Sequence, residues 1–131
     1  MPISVAIIGS GPSAFYTADA LLDCGQEVRV DIIERLPAPF GLIRYGVAPD
    51  HQTAKNVSRA FDKTAREARV SFFGHVEVGR DVSMAELKSM YDAVVVAVGA
   101  PLDRPLGIPG ESKAGVVGSA AFVGWYNALP E

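Results

Sequence analysis

The sequence has a single cysteine, Cys24, in 131 residues. No internal disulfide can form, and neither a CxxC redox pair nor a cysteine-ligated iron–sulfur cluster can be built. Cys24 falls near the end of an apolar helical pattern, which predicts a buried packing role. There are two histidines, His51 and His75, with no regular acidic spacing around them. No metal site is expected from such a set, and no G-x-S-x-G nucleophile motif occurs. No apolar run approaches the roughly 18 residues a bilayer span needs. Only Met1 and Pro2 precede the first apolar segment, without a basic, apolar or Arg-rich leader. A cytoplasmic protein without membrane insertion is the expectation. The charge balance, 12 basic against 15 acidic residues, lacks the excess that nucleic-acid binding requires. Trp125 and Tyr126 are accordingly expected to pack rather than to stack on bases.

Apolar residues are plentiful, at 49%, enough for one domain that buries roughly two-thirds of its unfolded surface. Ile3 to Ile8 is apolar on both faces, as in a central parallel strand. Pro12 suits the first turn of a helix carrying Ala14, Ala18, Leu21 and Leu22, with Gly25 as its stop. Glu27 to Glu34 reads as a second strand. Pro37, Pro39, Gly41, Gly46 and Pro49 mark a loop. Asp50 is placed to cap a helix reaching about Ala68, with Ala54, Val57, Phe61, Ala65 and Ala68 inward. Its Lys55, Arg59, Lys63 and Arg66 read as a solvated surface. Short strands broken at Gly74 are expected over Val70 to Val78, with His75 in a turn. Ser83 to Glu86 is a capping-box pattern opening a helix with Leu87 and Met90 inward. Tyr91 to Gly99 reads as another doubly buried strand, and Ser119 to Asn127 as an aromatic-rich helix. The β-α-β order predicts an α/β, Rossmann-like dinucleotide-binding fold with a parallel sheet and right-handed crossovers.

Gly9, Gly11 and Ala14 take the key positions of G-x-G-x-x-G/A between the first strand and helix. The two glycines let a pyrophosphate approach the backbone, and the helix opening at Pro12 and Ser13 aims its dipole there. Ala14 keeps helix and strand close. Glu34 lies 23 residues after Gly11, placed to accept from ribose hydroxyls and to repel a 2′-phosphate. Arg35 beside it can relax that repulsion. A second glycine loop, FGLIRYGVAP, follows at once and favours FAD over NAD. Gly41 and Gly46 can admit a flat ring, although a plain surface loop has the same composition. His51 at a helix start reads either as a proton relay beside a flavin or as an ordinary surface histidine.

GSGPSAFYTA, ERLPAPFGLIRYGVAPDH, FFGHVEVGRDV, YDAVVVAVGA, DRPLGIPGE and FVGWYNALPE together resemble adrenodoxin reductase and the bacterial ferredoxin–NADP reductases. The resemblance implies the FAD-binding half of a two-nucleotide flavoprotein, in which electrons pass from NADPH through FAD to an iron–sulfur ferredoxin. It implies that Gly9, Gly11, Ser13 and Ala14 hold the pyrophosphate region and that Glu34 takes the adenosine ribose. By the same resemblance Leu42 lines the flavin side, Val78 offers backbone to adenine, Gly99 closes the second signature strand and His51 lies near the isoalloxazine. Residues 1–105 are expected to be the FAD-binding domain and 106–131 a connector. The NADPH fold is expected beyond Glu131, so these residues alone should not reduce ferredoxin. Two alternatives stay open: a non-catalytic nucleotide-binding module, or another two-nucleotide flavin enzyme such as a disulfide reductase or the small subunit of glutamate synthase. Neither a dithiol within this span nor an amino-terminal cysteine-rich region supports the latter.

Overall fold

The structure is a computed structural model, and it describes residues 1–130. Glu131, the last residue of FVGWYNALPE, lies outside them. Strand β1 (Ile3–Ile8) leads to helix α1 (Pro12–Leu22) and strand β2 (Val28–Glu34). Short helices α2 (Gly41–Tyr45) and α3 (Gln52–Lys55) precede α4 (Ser58–Ala65), β3 (Val70–Gly74), α5 (Met84–Met90), β4 (Ala93–Val96) and α6 (Ser119–Tyr126). The four strands form one parallel sheet in the order β3-β2-β1-β4. The expected α/β parallel architecture is therefore present, with β1 and β2 at its centre.

Each face of the sheet carries its own core. Val5, Ile7, Val30 and Ile32 pack against Ala14, Phe15 and Ala18 of α1 and Phe61 of α4. Phe15 lies stacked on Phe61, with ring centroids 5.1 Å apart, and tilted against Phe40 at 5.2 Å. Ala6, Ile8 and Ile33 point the other way, onto Leu87 of α5. Because neighbouring residues of a strand face opposite sides, only a stretch covered on both faces can be apolar throughout, and Val5 to Ile8 of β1 are covered on both.

Several expectations are corrected. The helix anticipated from Asp50 to Ala68 is two helices. Arg59 and Ala60 donate to the carbonyls of Asn56 and Val57, three residues back, and this tighter turn separates α3 from α4. His51, not Asp50, is the residue before α3, and its side chain makes no cap. Thr64 rather than Ala68 completes the inner face, and Ala54 is exposed. The Pro/Gly loop contains α2. Cys24 is exposed, because α1 ends at Leu22 with Asp23 as its cap and Cys24 lies past the packed face. β4 is an edge strand, with Val96 at its end 61% exposed and Val98, two residues past it, 59% exposed. Met90 and Trp125 are also exposed, so neither packs inward. The capping box at Ser83 is present as expected: Ser83 Oγ accepts from Glu86 N at 3.1 Å, and Ser83 N donates to Glu86 Oε2 at 2.8 Å. His75 occupies a turn with φ +61°.

Candidate functional site

Three loops meet at the carboxyl ends of β1, β2 and β4. Gly9 N–H donates to Ile33 O at 2.8 Å, and Ala97 N–H donates to Ile8 O at 2.8 Å. Gly9 sits at φ +101°, and a Cβ there would collide with the Ala97 carbonyl. Both its conformation and its surroundings demand glycine. Gly11 differs. Its φ of −80° suits any residue, and a Cβ on it would meet nothing within 4 Å. What the missing side chain leaves is open space at the start of α1. Gly11 caps that helix without a side-chain hydrogen bond. Pro12 has no N–H and Ala14 N–H donates to Gly11 O at 3.0 Å, which leaves the N–H groups of Gly11 and Ser13 for the opening.

That opening is a cavity of about 370 Å³, with Gly9, Gly11, Pro12 and Ser13 on its floor. Gly41, Leu42, Tyr45 and Gly46 form one wall, and Ala97 to Pro101 continue the rim from β4. A second cavity of about 170 Å³ adjoins it, reaching Val76, Glu77 and Val78. Gly9, Glu34, Arg35 and Val98 border both. The two make a trough running across the ends of the central strands, the place where open parallel sheets take ligands.

Glu34 is buried at the junction. Its Oε2 accepts from Ser10 N at 2.9 Å and from Ser10 Oγ at 2.7 Å. Its Oε1 accepts from Leu36 N at 2.9 Å. An ionised carboxylate has about four acceptor positions, so Oε1 retains one for a further donor. Among the described residues Glu34 is the lone acidic group bordering the larger cavity, and Arg35 the lone basic one.

The expected site residues are gathered in part. Gly9, Gly11, Pro12, Ser13, Glu34, Arg35, Gly41, Leu42 and Gly99 border the larger cavity, and Val78 borders the smaller. Ala14 is fully buried beneath α1, where it allows close packing on the sheet. His51 is exposed and borders neither cavity. Gly41 has a packing reason for lacking a side chain: at φ +48°, its Cβ would stand 2.9 Å from the Cα of Gly11.

Sequence reasoning missed Ser10, Tyr45 and the whole contribution of α6. Ala120, Val123 and Gly124 of that helix border the larger cavity opposite α2. The signal was the spacing of Ala120 and Gly124, four residues apart on one helical face. Asp103 caps α6, accepting from Ala120 N at 2.9 Å and Ala121 N at 3.1 Å. These backbone donors hold its carboxyl below the ordinary carboxylate value.

No protein-family model matches the chain. Its curated relatives are nevertheless similar over nearly all of it. The mitochondrial NADPH:adrenodoxin oxidoreductase of Salvelinus fontinalis is 56% identical over 96% of this chain and 25% of its own length. The NADPH-ferredoxin reductase FprA of Mycobacterium tuberculosis is 51% identical over 98% of this chain and 29% of its own. A solved structure of M. tuberculosis FprA in complex with NADPH superposes with a TM-score of 0.95 at 50% identity, covering 99% of this chain and 30% of that one. The chain thus spans about a quarter of the length of the curated relatives it matches. By sequence and fold alike, it belongs to the family of adrenodoxin reductases and bacterial NADPH–ferredoxin reductases.

Proposed function

We propose that this chain is the FAD-binding part of an NADPH:ferredoxin oxidoreductase, which passes electrons from NADPH through FAD to an iron–sulfur ferredoxin. The observation that carries the proposal is the cradle at Gly11, which any side chain would fill. A pyrophosphate needs close backbone, N–H donors and positive potential, and the start of α1 supplies all three. Gly9, Gly11, Pro12 and Ser13 hold the pyrophosphate in this assignment, with Ala14 keeping α1 tight on the sheet. Glu34 Oε1 takes a ribose hydroxyl, Arg35 borders the same junction and Val78 lies along the adenine in the smaller cavity. Gly41, Leu42 and Gly99 border the isoalloxazine chamber. Bound there, FAD supplies the conversion between two-electron donation by NADPH and one-electron delivery to a ferredoxin.

The chain's own residues bind, orient and exclude water. Leu42, Tyr45 and Val123 give the chamber apolar walls, which suit a flat ring system. Glu34 stays close to the position a 2′-phosphate would need, so NADPH is assigned to a different fold of the full-length enzyme. His51 stands at the exposed start of α3 and borders neither cavity, so no step is assigned to it. Residues 1–105 form the nucleotide-binding domain in this assignment. Residues 106–131 act as connector while returning α6 to the chamber wall. A cytoplasmic location is part of the proposal. No helix among the described residues is long and apolar enough to cross a membrane.

The test is Gly11→Val. A Cβ at position 11 meets nothing within 4 Å and the φ of −80° suits any residue, so the variant should fold normally by circular dichroism and lose FAD affinity in titration. Undiminished affinity in the folded variant would overturn the assignment.

A further inference from the structure

Lys55 ends α3. Its ammonium donates to Ile43 O at 3.2 Å and Arg44 O at 3.0 Å, both in α2, and to Asn127 Oδ1 at 3.4 Å, just past α6. Asn127 is itself fixed, since its Nδ2 donates to Val123 O at 3.0 Å. An ammonium has three donors, and here all three have acceptors on two separate walls of the larger cavity. The sequence pattern alone places Lys55 on a solvated face.

The bond to Asn127 stands alone in one respect. Among the described residues, it is the one hydrogen bond joining residues 98–130 to residues 1–96. Asp103 also grips α6, but it belongs to the same segment and orders that segment internally. Apolar contact across a cavity gives little resistance to sliding. The distance from α2 to α6 therefore depends on what spans the gap.

We propose that Lys55 is a positioning residue: a latch that ties the carbonyls of α2 to the end of α6 and sets the width of the chamber between them. The proposal rests on the assignment of that chamber to the isoalloxazine. The latch acts on one end of the ligand only, because the Gly9–Gly11 turn and Glu34 are held by their own bonds.

Lys55→Met keeps the length of the side chain and removes charge and donors, whereas Lys55→Arg keeps both. Trp125 is the sole tryptophan and stands on α6, so its fluorescence anisotropy reports the docking of that helix without any ligand. Lys55→Met should lower the Trp125 anisotropy and weaken FAD binding by about tenfold, the scale of one charge-assisted hydrogen bond. ADP affinity should stay within about twofold, and Lys55→Arg should recover anisotropy and FAD affinity together. Unchanged anisotropy and FAD affinity in Lys55→Met would overturn the latch. So would an equal loss of FAD and ADP affinity, which marks general damage. A wild-type chain that binds ADP but no FAD would overturn the chamber assignment instead, and the anisotropies of the two variants would still decide the latch.

Discussion

Gly41 and Gly11 meet backbone to backbone, so that a Cβ on Gly41 would stand 2.9 Å from the Cα of Gly11. The second glycine loop thus leans on the first, and Phe40 N–H fastens it by donating to Ser10 O at 2.9 Å. The two glycines have opposite reasons for being glycine. Gly41 is required by the protein, through its φ of +48° and its collision. Gly11 is required by nothing in the protein.

Opposite phenotypes follow. Gly41→Ala should destabilise the fold by more than the roughly 1–2 kcal/mol of a left-handed alanine, because the collision is with backbone. Gly25→Ala carries a similar positive φ without any contact and should show the backbone cost alone. Gly11→Ala should change stability by less than about 1 kcal/mol, a poorer N-cap offsetting a stiffer unfolded chain. It should nonetheless weaken ADP binding. Urea denaturation and ADP titration of the three variants check the pattern.

Glu34 ties the glycine turn to the end of β2 through Ser10 and Leu36. In Glu34→Gln an amide NH₂ replaces one acceptor and faces a donor. Hydrogen bonds to charged groups contribute about 1.5–3 kcal/mol, so stability should fall by about that much. ADP affinity should drop by at least about tenfold. Ser10→Ala removes one of the three bonds and should show a smaller loss in both measurements.

Asp103 links α6 to pH. Its folded pKa lies below the ordinary value of 3.8 because Ala120 N–H and Ala121 N–H donate to it. A depressed carboxylate stabilises the fold above its unfolded pKa, and that contribution is lost as pH falls through the folded pKa. Trp125 fluorescence should therefore be flat from neutral pH to about pH 4, then change in stronger acid. Asp103→Asn should change the signal at neutral pH and flatten the acid transition.

Phe61 holds α4 on α1 by stacking on Phe15 and meeting Phe40. Phe61→Ala should cost about 3–5 kcal/mol, read as a lower denaturation midpoint. The charged pairs of the surface, such as Arg66 with Asp62 at 2.7 Å, should matter far less: Arg66→Ala should leave the midpoint nearly unchanged.

What the sequence revealed was local. The turn at Gly9 and Gly11, Pro12 at the start of α1 and the capping box at Ser83 each depend on neighbours within a few residues, and each stands where the pattern placed it. Position in the sheet is a long-range property. YDAVVVAVG has the apolar run of a central strand, but β4 has β1 on one side and no strand on the other among the described residues. Cys24 matched the apolar helical pattern, yet the helix ended two residues earlier. The site was legible where a missing side chain is the signal, as at Gly11. It was illegible where a partner comes from far along the chain. Neither the grip of Ser10 on Glu34 nor the span from Lys55 to Asn127, 72 residues away, leaves a pattern in the sequence.

The central claim is that the trough takes FAD with its ADP end on Gly9, Gly11 and Glu34. Equilibrium dialysis of the 131-residue chain against FAD, with and without excess ADP, tests it most directly. The account predicts FAD binding that ADP displaces. FAD held stoichiometrically against any excess of ADP, or no binding of either nucleotide, would contradict it.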